Sequence, residues 1–183
     1  MQSELAKALS MGAPLLVLIY VFKWPVKNAQ FLAFYAGMLL LIATSFAYHL
    51  MCHLNYFECV IDNDARRLDQ SMLHVNSALI AFALSGSTTY FAFVFVYALI
   101  AVSLLWKRGE HDTSDLRRAN IVVTLCLAVL PMVWRHDYLN LVGSAASLFA
   151  TAALFVYGGA GHTLSHLLLP FYIYFLYRSI RDF

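Results

Sequence analysis

The sequence predicts an all-α integral membrane protein, one bundle of seven transmembrane helices forming a single domain over residues 1–183. Three observations carry this. The chain is 62% hydrophobic and only 12% charged, where a soluble domain has about 25% charged residues. Its apolar residues fall in long blocks, near the roughly 17 to 25 residues that cross about 30 Å of hydrocarbon. Its charges gather in short clusters between those blocks. Only helices and closed barrels satisfy the backbone in lipid, and barrel strands would alternate polar and apolar residues over about ten positions. These blocks do not alternate, so they read as helices.

The first block runs from about Leu5 to Phe22 and ends at KWPVKN, where Lys23, Pro25 and Lys27 mark an interface. Its mixed-charge start and lack of a small-x-small cleavage site make it a span rather than a secretory leader. The second runs from about Phe31 to His53 and is followed by the polar loop NYFECVIDNDARR. The third, Leu68 to Leu84, turns tightly at SGSTT into the fourth, Tyr90 to Trp106. The most polar stretch, KRGEHDTSDLRRAN, leads to the fifth, Ile121 to Trp134, and RHDYLN follows it. The sixth, Leu141 to Tyr157, is broken by GGAG from the seventh, His162 to Tyr177. The fifth and seventh are short for a membrane crossing, so their ends are expected to extend into flanking residues. Connecting loops are too short for another domain, and neither repeats nor low-complexity tracts occur.

The net charge of +2, without a basic stripe, gives no reason to expect nucleic acid. With the N-terminal side called side A, seven Lys and Arg fall on side A and five on side B, a small lean toward a cytoplasmic side A. Cys126 sits within an apolar run. Cys52 and Cys59 flank a loop and would be bridged if that loop faces an oxidising compartment, or free otherwise. Gly143, Ser144, Ala145, Ala146 and Ser147 look like a close-packing face on the sixth helix.

Polar residues inside the spans bear on function. His162 and His166 are four residues apart, on one helix face and about 6 Å apart along the axis. Such a pair suits one metal ion; alternatively, it is an interfacial pair beside GGAG. The second block ends ATSFAYHLMCH, with Ser45, His49 and His53 also spaced by four. The third opens RRLDQSMLHVNS, placing Asp69 in its first turn. Counting crossings brings Ser45 and His49, Asp69, and His162 and His166 to the same depth near side A. Ionisable groups at membrane depth are costly and mark functional sites.

Three neutral imidazoles with an open position form the arrangement of a catalytic zinc site, which acidifies a bound water. Asp69 is the one carboxylate placed to handle that proton, or else an N-cap. Ser45 either hydrogen-bonds in the site or back-bonds to its own helix. His53 lies close to the loop, His74 is about 140° round the helix from Asp69, and His111 and His136 fall in loops. Tyr48 beside His49 is either an oxyanion donor or structural.

Ser45-x3-His49, Asp69 and His162-x3-His166, in that order on the second, third and seventh helices, resemble the CREST superfamily of seven-helix membrane hydrolases. That group includes the alkaline ceramidases, the progestin and adiponectin receptors, and the transmembrane protein 8 and myomaker family. The resemblance implies a Zn2+ ion held by His49, His162 and His166, with Asp69 and Ser45 beside the metal-bound water. SFAYHLMC looks like the Ser-x-x-Tyr-His-x-Cys start of the transmembrane protein 8 and myomaker group, with the cysteine displaced by one residue and the following Asp missing. MQSELAKALS is too poor in acids to supply the calcium-binding segment of alkaline ceramidases.

The expected function is a zinc-dependent intramembrane hydrolase of a lipid amide or ester bond, with a sphingolipid or phospholipid substrate, in a multi-pass membrane protein. The alternative is a non-catalytic membrane-remodelling, fusion or receptor-like protein with a structural zinc site. A bis-histidine haem carrier would place its histidine pairs at two depths. A retinal protein would need a lysine on the seventh helix, which has none.

Overall fold

A computed structural model describes residues 4–23, 28–56, 63–107, 114–157 and 160–182. Every regular element among them is an α-helix: α1 (Glu4–Ser10), α2 (Gly12–Phe22), α3 (Ala29–His53), α4 (Asp64–Ser85), α5 (Thr88–Lys107), α6 (Ser114–Val129), α7 (Pro131–Trp134), α8 (Tyr138–Tyr157) and α9 (Ala160–Arg181). The seven apolar blocks correspond to α1–α2, α3, α4, α5, α6–α7, α8 and α9. As expected, the fifth and seventh extend past their apolar limits. The polar stretch before the fifth is helical from Ser114, and the loop before the third is helical from Asp64.

Proline explains the two interruptions. Pro14 has no N–H for the Ser10 carbonyl, and its ring crowds that carbonyl. The first span therefore loosens at Met11, which keeps helical torsions (φ −67°, ψ −11°) while its carbonyl still accepts from Leu15 N at 3.4 Å. Pro131 likewise withdraws the donor for the Leu127 carbonyl. That carbonyl accepts instead from the Tyr90 hydroxyl at 2.6 Å, tying α5 to α6.

Caps set other limits. Asn28 accepts from Phe31 N at 2.8 Å and Asn63 from Arg66 N at 2.9 Å, the N-cap geometry that satisfies orphan amides at the starts of α3 and α4. Gly86 closes α4 in the left-handed region at φ 64°, where glycine carries no steric penalty, so α5 can start at Thr88.

Among the described residues, five helical segments are long and apolar enough to cross a membrane: Glu4–Phe22, Ala29–His53, Thr88–Lys107, Leu116–Trp134 and Tyr138–Phe155. α4 and α9, at 22 residues each, are long enough but less apolar. Position explains the difference. α4 packs against α3, α5, α6, α7 and α9, while α9 packs against α8, α2, α1, α3 and α4. The more polar helices are central, and the apolar ones turn large side chains outward, among them Phe93, Val142 and Phe149. An outward apolar surface of this kind suits lipid rather than water.

One half of the bundle is filled by an apolar core of Leu18, Phe31, Phe34, Leu84, Ile173 and Leu176. In lipid, such packing gains van der Waals contact rather than release of water. The small-residue face of α8 is narrower than the sequence suggested. Gly143, Ser144 and Ser147 face inward, whereas Ala145 and Ala146 are exposed. At Gly143 a Cβ would come within 2.5 Å of the Phe175 ring, so glycine is what lets α9 approach.

At this packed end, Arg135, between α7 and α8, donates from Nη1 to the Leu84 carbonyl at 2.9 Å and from Nη2 to the Ser179 carbonyl at 2.7 Å. It thereby joins the last turns of α4 and α9, where orphan carbonyls and the helix dipole favour a cation. Burial draws the guanidinium below its usual pKa, while Asp137 and Asp182 oppose that shift. Cys52 is disulfide-bonded and Cys126 is free, while Cys59 lies outside the described residues.

Candidate metal centre

The opposite end of the bundle gathers three histidines. His49 lies one turn before the end of α3, and His162 and His166 occupy the first two turns of α9. Their ring centroids form a near-equilateral triangle: 4.9 Å for His49–His162, 5.5 Å for His49–His166 and 4.9 Å for His162–His166. One nitrogen from each ring lies within 4.8 Å of the others, close enough to hold one metal ion. His49 and His166 are buried, and His162 is half-buried against the Phe155 ring of α8 at 4.5 Å. Pro170, four residues after His166, withdraws the donor that would otherwise bond the His166 carbonyl.

Ser45 is buried on α3 one turn from His49, and its hydroxyl donates to the Asp69 carboxylate. This sets aside Asp69 as a helix N-cap and Ser45 as a hydroxyl bonded only to its own helix. Asn63 is the N-cap of α4, so Asp69 is free of that task, and Ser45 reaches across to α4.

Hydrogen bonds set which ring nitrogen of His49 and of His166 is open to a metal. His49 Nδ1 lies 2.9 Å from Glu4 Oε2, and a carboxylate only accepts, so Nδ1 carries the proton. The other Glu4 oxygen pairs with Lys7. His166 Nδ1 lies 2.8 Å from Ser10 Oγ and 3.2 Å from the Lys7 carbonyl. Ser10 commits its own proton to that carbonyl at 2.6 Å. His166 Nδ1 thus meets two acceptors and is a donor. In both rings Nε2 is left with its lone pair, the form that binds a metal. Three imidazole nitrogens suit a first-row transition metal, zinc, copper, iron and nickel alike.

The other histidines stand apart. His53 is exposed at the end of α3. His74 is buried against Thr124 Oγ1 of α6 at 2.8 Å. His136 is exposed and pairs with the Tyr138 hydroxyl at 2.9 Å. His111 lies outside the described residues, and Tyr48 is buried beside His49. Glu4, Lys7 and Ser10 were not singled out from sequence. Their spacing of three places them within a 120° arc of α1, which was the available signal.

Fold and site together define, among the described residues, an all-helical protein with five apolar segments of membrane-crossing length and a largely buried three-histidine cluster close enough to hold a metal ion. No family model matches the chain, and neither the curated proteins nor the solved structures yield a match.

Proposed function

We propose that this is a zinc-dependent hydrolase of an amide or ester bond in a membrane lipid, a sphingolipid or phospholipid, embedded as a seven-helix bundle. The observation that carries the proposal is the His49–His162–His166 triangle one helical turn from the Ser45–Asp69 pair. His49, His162 and His166 would hold the ion, which, when bound, supplies a Lewis acid and an acidified water. Asp69, oriented by the Ser45 hydroxyl, accepts the water proton and then delivers it to the leaving nitrogen or oxygen. The order of these residues along the chain, with its resemblance to the CREST superfamily, supports the same reading.

A lipid substrate is favoured by a crevice of about 350 Å³ between the α1–α2 junction and α3. Leu9, Gly12, Leu15, Ile42, Ala43 and Phe46 line it. Phe46 lies one turn before His49 on α3, the i,i+3 spacing that shares a helix face, so an acyl chain seated there would bring its carbonyl end toward the histidines. The Cys52 disulfide favours an oxidising compartment for side A, against the seven-to-five charge count.

The test is turnover of ceramide and phospholipid panels by purified protein, wild type against Asp69→Asn. Loss of a proton-transfer group is expected to lower the rate by about 10²–10⁴-fold with metal retained. A metal-loaded wild type that turns over none of these lipids would leave the triangle a structural site in a membrane-remodelling or receptor-like protein.

A further inference from the structure

We infer that α1 is the positioning element of the metal centre, with Glu4 and Ser10 holding His49 and His166 as Nδ1–H tautomers so that both Nε2 atoms face one ion; this rests on reading the triangle as a metal site. Neither residue is itself within the ligand cluster. Each acts on the far side of an imidazole. The Glu4 carboxylate accepts from His49 at 2.9 Å. Ser10, its proton given to the Lys7 carbonyl, accepts from His166 at 2.8 Å.

One short helix therefore grips two ligands that belong to α3 and α9. A neutral imidazole in isolation exchanges between tautomers, and one with its proton on Nε2 cannot ligate through that nitrogen. Fixing the proton on Nδ1 removes this loss, and a carboxylate partner also raises the basicity of the ring. Lys7 holds the second Glu4 oxygen and so keeps the carboxylate aimed. Pro14 loosens the helix at Met11, where α1 meets α2.

The experiment uses the full chain in detergent, titrated with Co2+ in competition with a chelator, with the visible d–d spectrum recorded. Glu4→Ala is expected to weaken binding about 10–100-fold, and Ser10→Ala by a smaller factor. Glu4→Gln and Ser10→Thr, which keep an acceptor in place, should recover part of the loss. Imidazole ¹⁵N shifts of the metal-free protein should move in Glu4→Ala from a pure Nδ1–H pattern for His49 to a tautomer mixture, a change that a merely structural role would not produce. Wild-type affinity and an unchanged ¹⁵N pattern in both alanine variants would overturn the inference while leaving the metal site standing. A wild type that binds no Co2+ would remove the site itself.

Discussion

The two ends of the bundle are both polar, and they resolve their polarity differently. At one end Arg135 meets the carbonyls of Leu84 and Ser179, donor against acceptor, and the arrangement closes on itself. At the other, about 20 Å away along α9 at 1.5 Å per residue, the imidazoles of His49 and His166 have their Nδ1 atoms occupied, and each offers a nitrogen within 4.8 Å of one from His162. Lone pairs brought together are complementary to a cation and to little else. The first end has the character of a staple and the second that of a receptor site, although both join α9 to its neighbours.

That contrast predicts opposite phenotypes. The largest expected effect is at the histidine end: His162→Ala should reduce zinc from about one ion per chain to near none by elemental analysis. The stability of the metal-free protein should change little. Arg135→Met should do the reverse, retaining the metal and lowering unfolding stability by about 1–3 kcal/mol for buried carbonyls left unpaired. Metal loss in Arg135→Met at a denaturant concentration where the fold persists would show that the two ends are coupled, and the contrast would fail.

Much of the receptor end was legible in the sequence because periodicity carries it. A spacing of four fixes Ser45 with His49 and His162 with His166 on shared faces, and counting crossings brings Asp69 to the same depth. What periodicity cannot report is which groups stand behind a ligand. Glu4, Lys7 and Ser10 look like the solvated start of a first span, and only the packing of α1 against α3 and α9 reveals them as hydrogen-bond partners. Arg135 was equally opaque: in sequence it is one of five cations on side B, and its partners are backbone carbonyls, which leave no mark in side-chain identity. The seven helical segments were readable from their apolar blocks. The interruptions at Met11 and Leu130 follow from Pro14 and Pro131, but a proline early in a span is tolerated too often to predict a break.

A smaller effect sharpens the packed end. Gly143→Ala places a methyl group within 2.5 Å of the Phe175 ring, and overpacking of this kind costs about 1–3 kcal/mol. Ala146→Leu, two helical positions from Ser144 and exposed, should be close to neutral. Equal thermal shifts in the two variants would mean that α8 and α9 do not meet along Gly143, Ser144 and Ser147.

The smallest expected effect probes the crevice beside the receptor end. A Cβ at Gly12 has no neighbour within 4 Å, so the Gly12→Leu side chain starts in open space and extends into the crevice that Gly12 lines. The fold and the histidines are untouched, so metal content should equal that of wild type. What should change is the length of acyl chain accepted, because leucine occupies volume that a long chain would need. Turnover of long-chain substrates should fall relative to short-chain ones, read as a ratio within one preparation so that protein yield cancels. An unchanged ratio would place the acyl chain elsewhere on the bundle. The lone pairs at the histidine end would then be served by a different route through α3, α4 and α9, with the metal triangle itself unaffected.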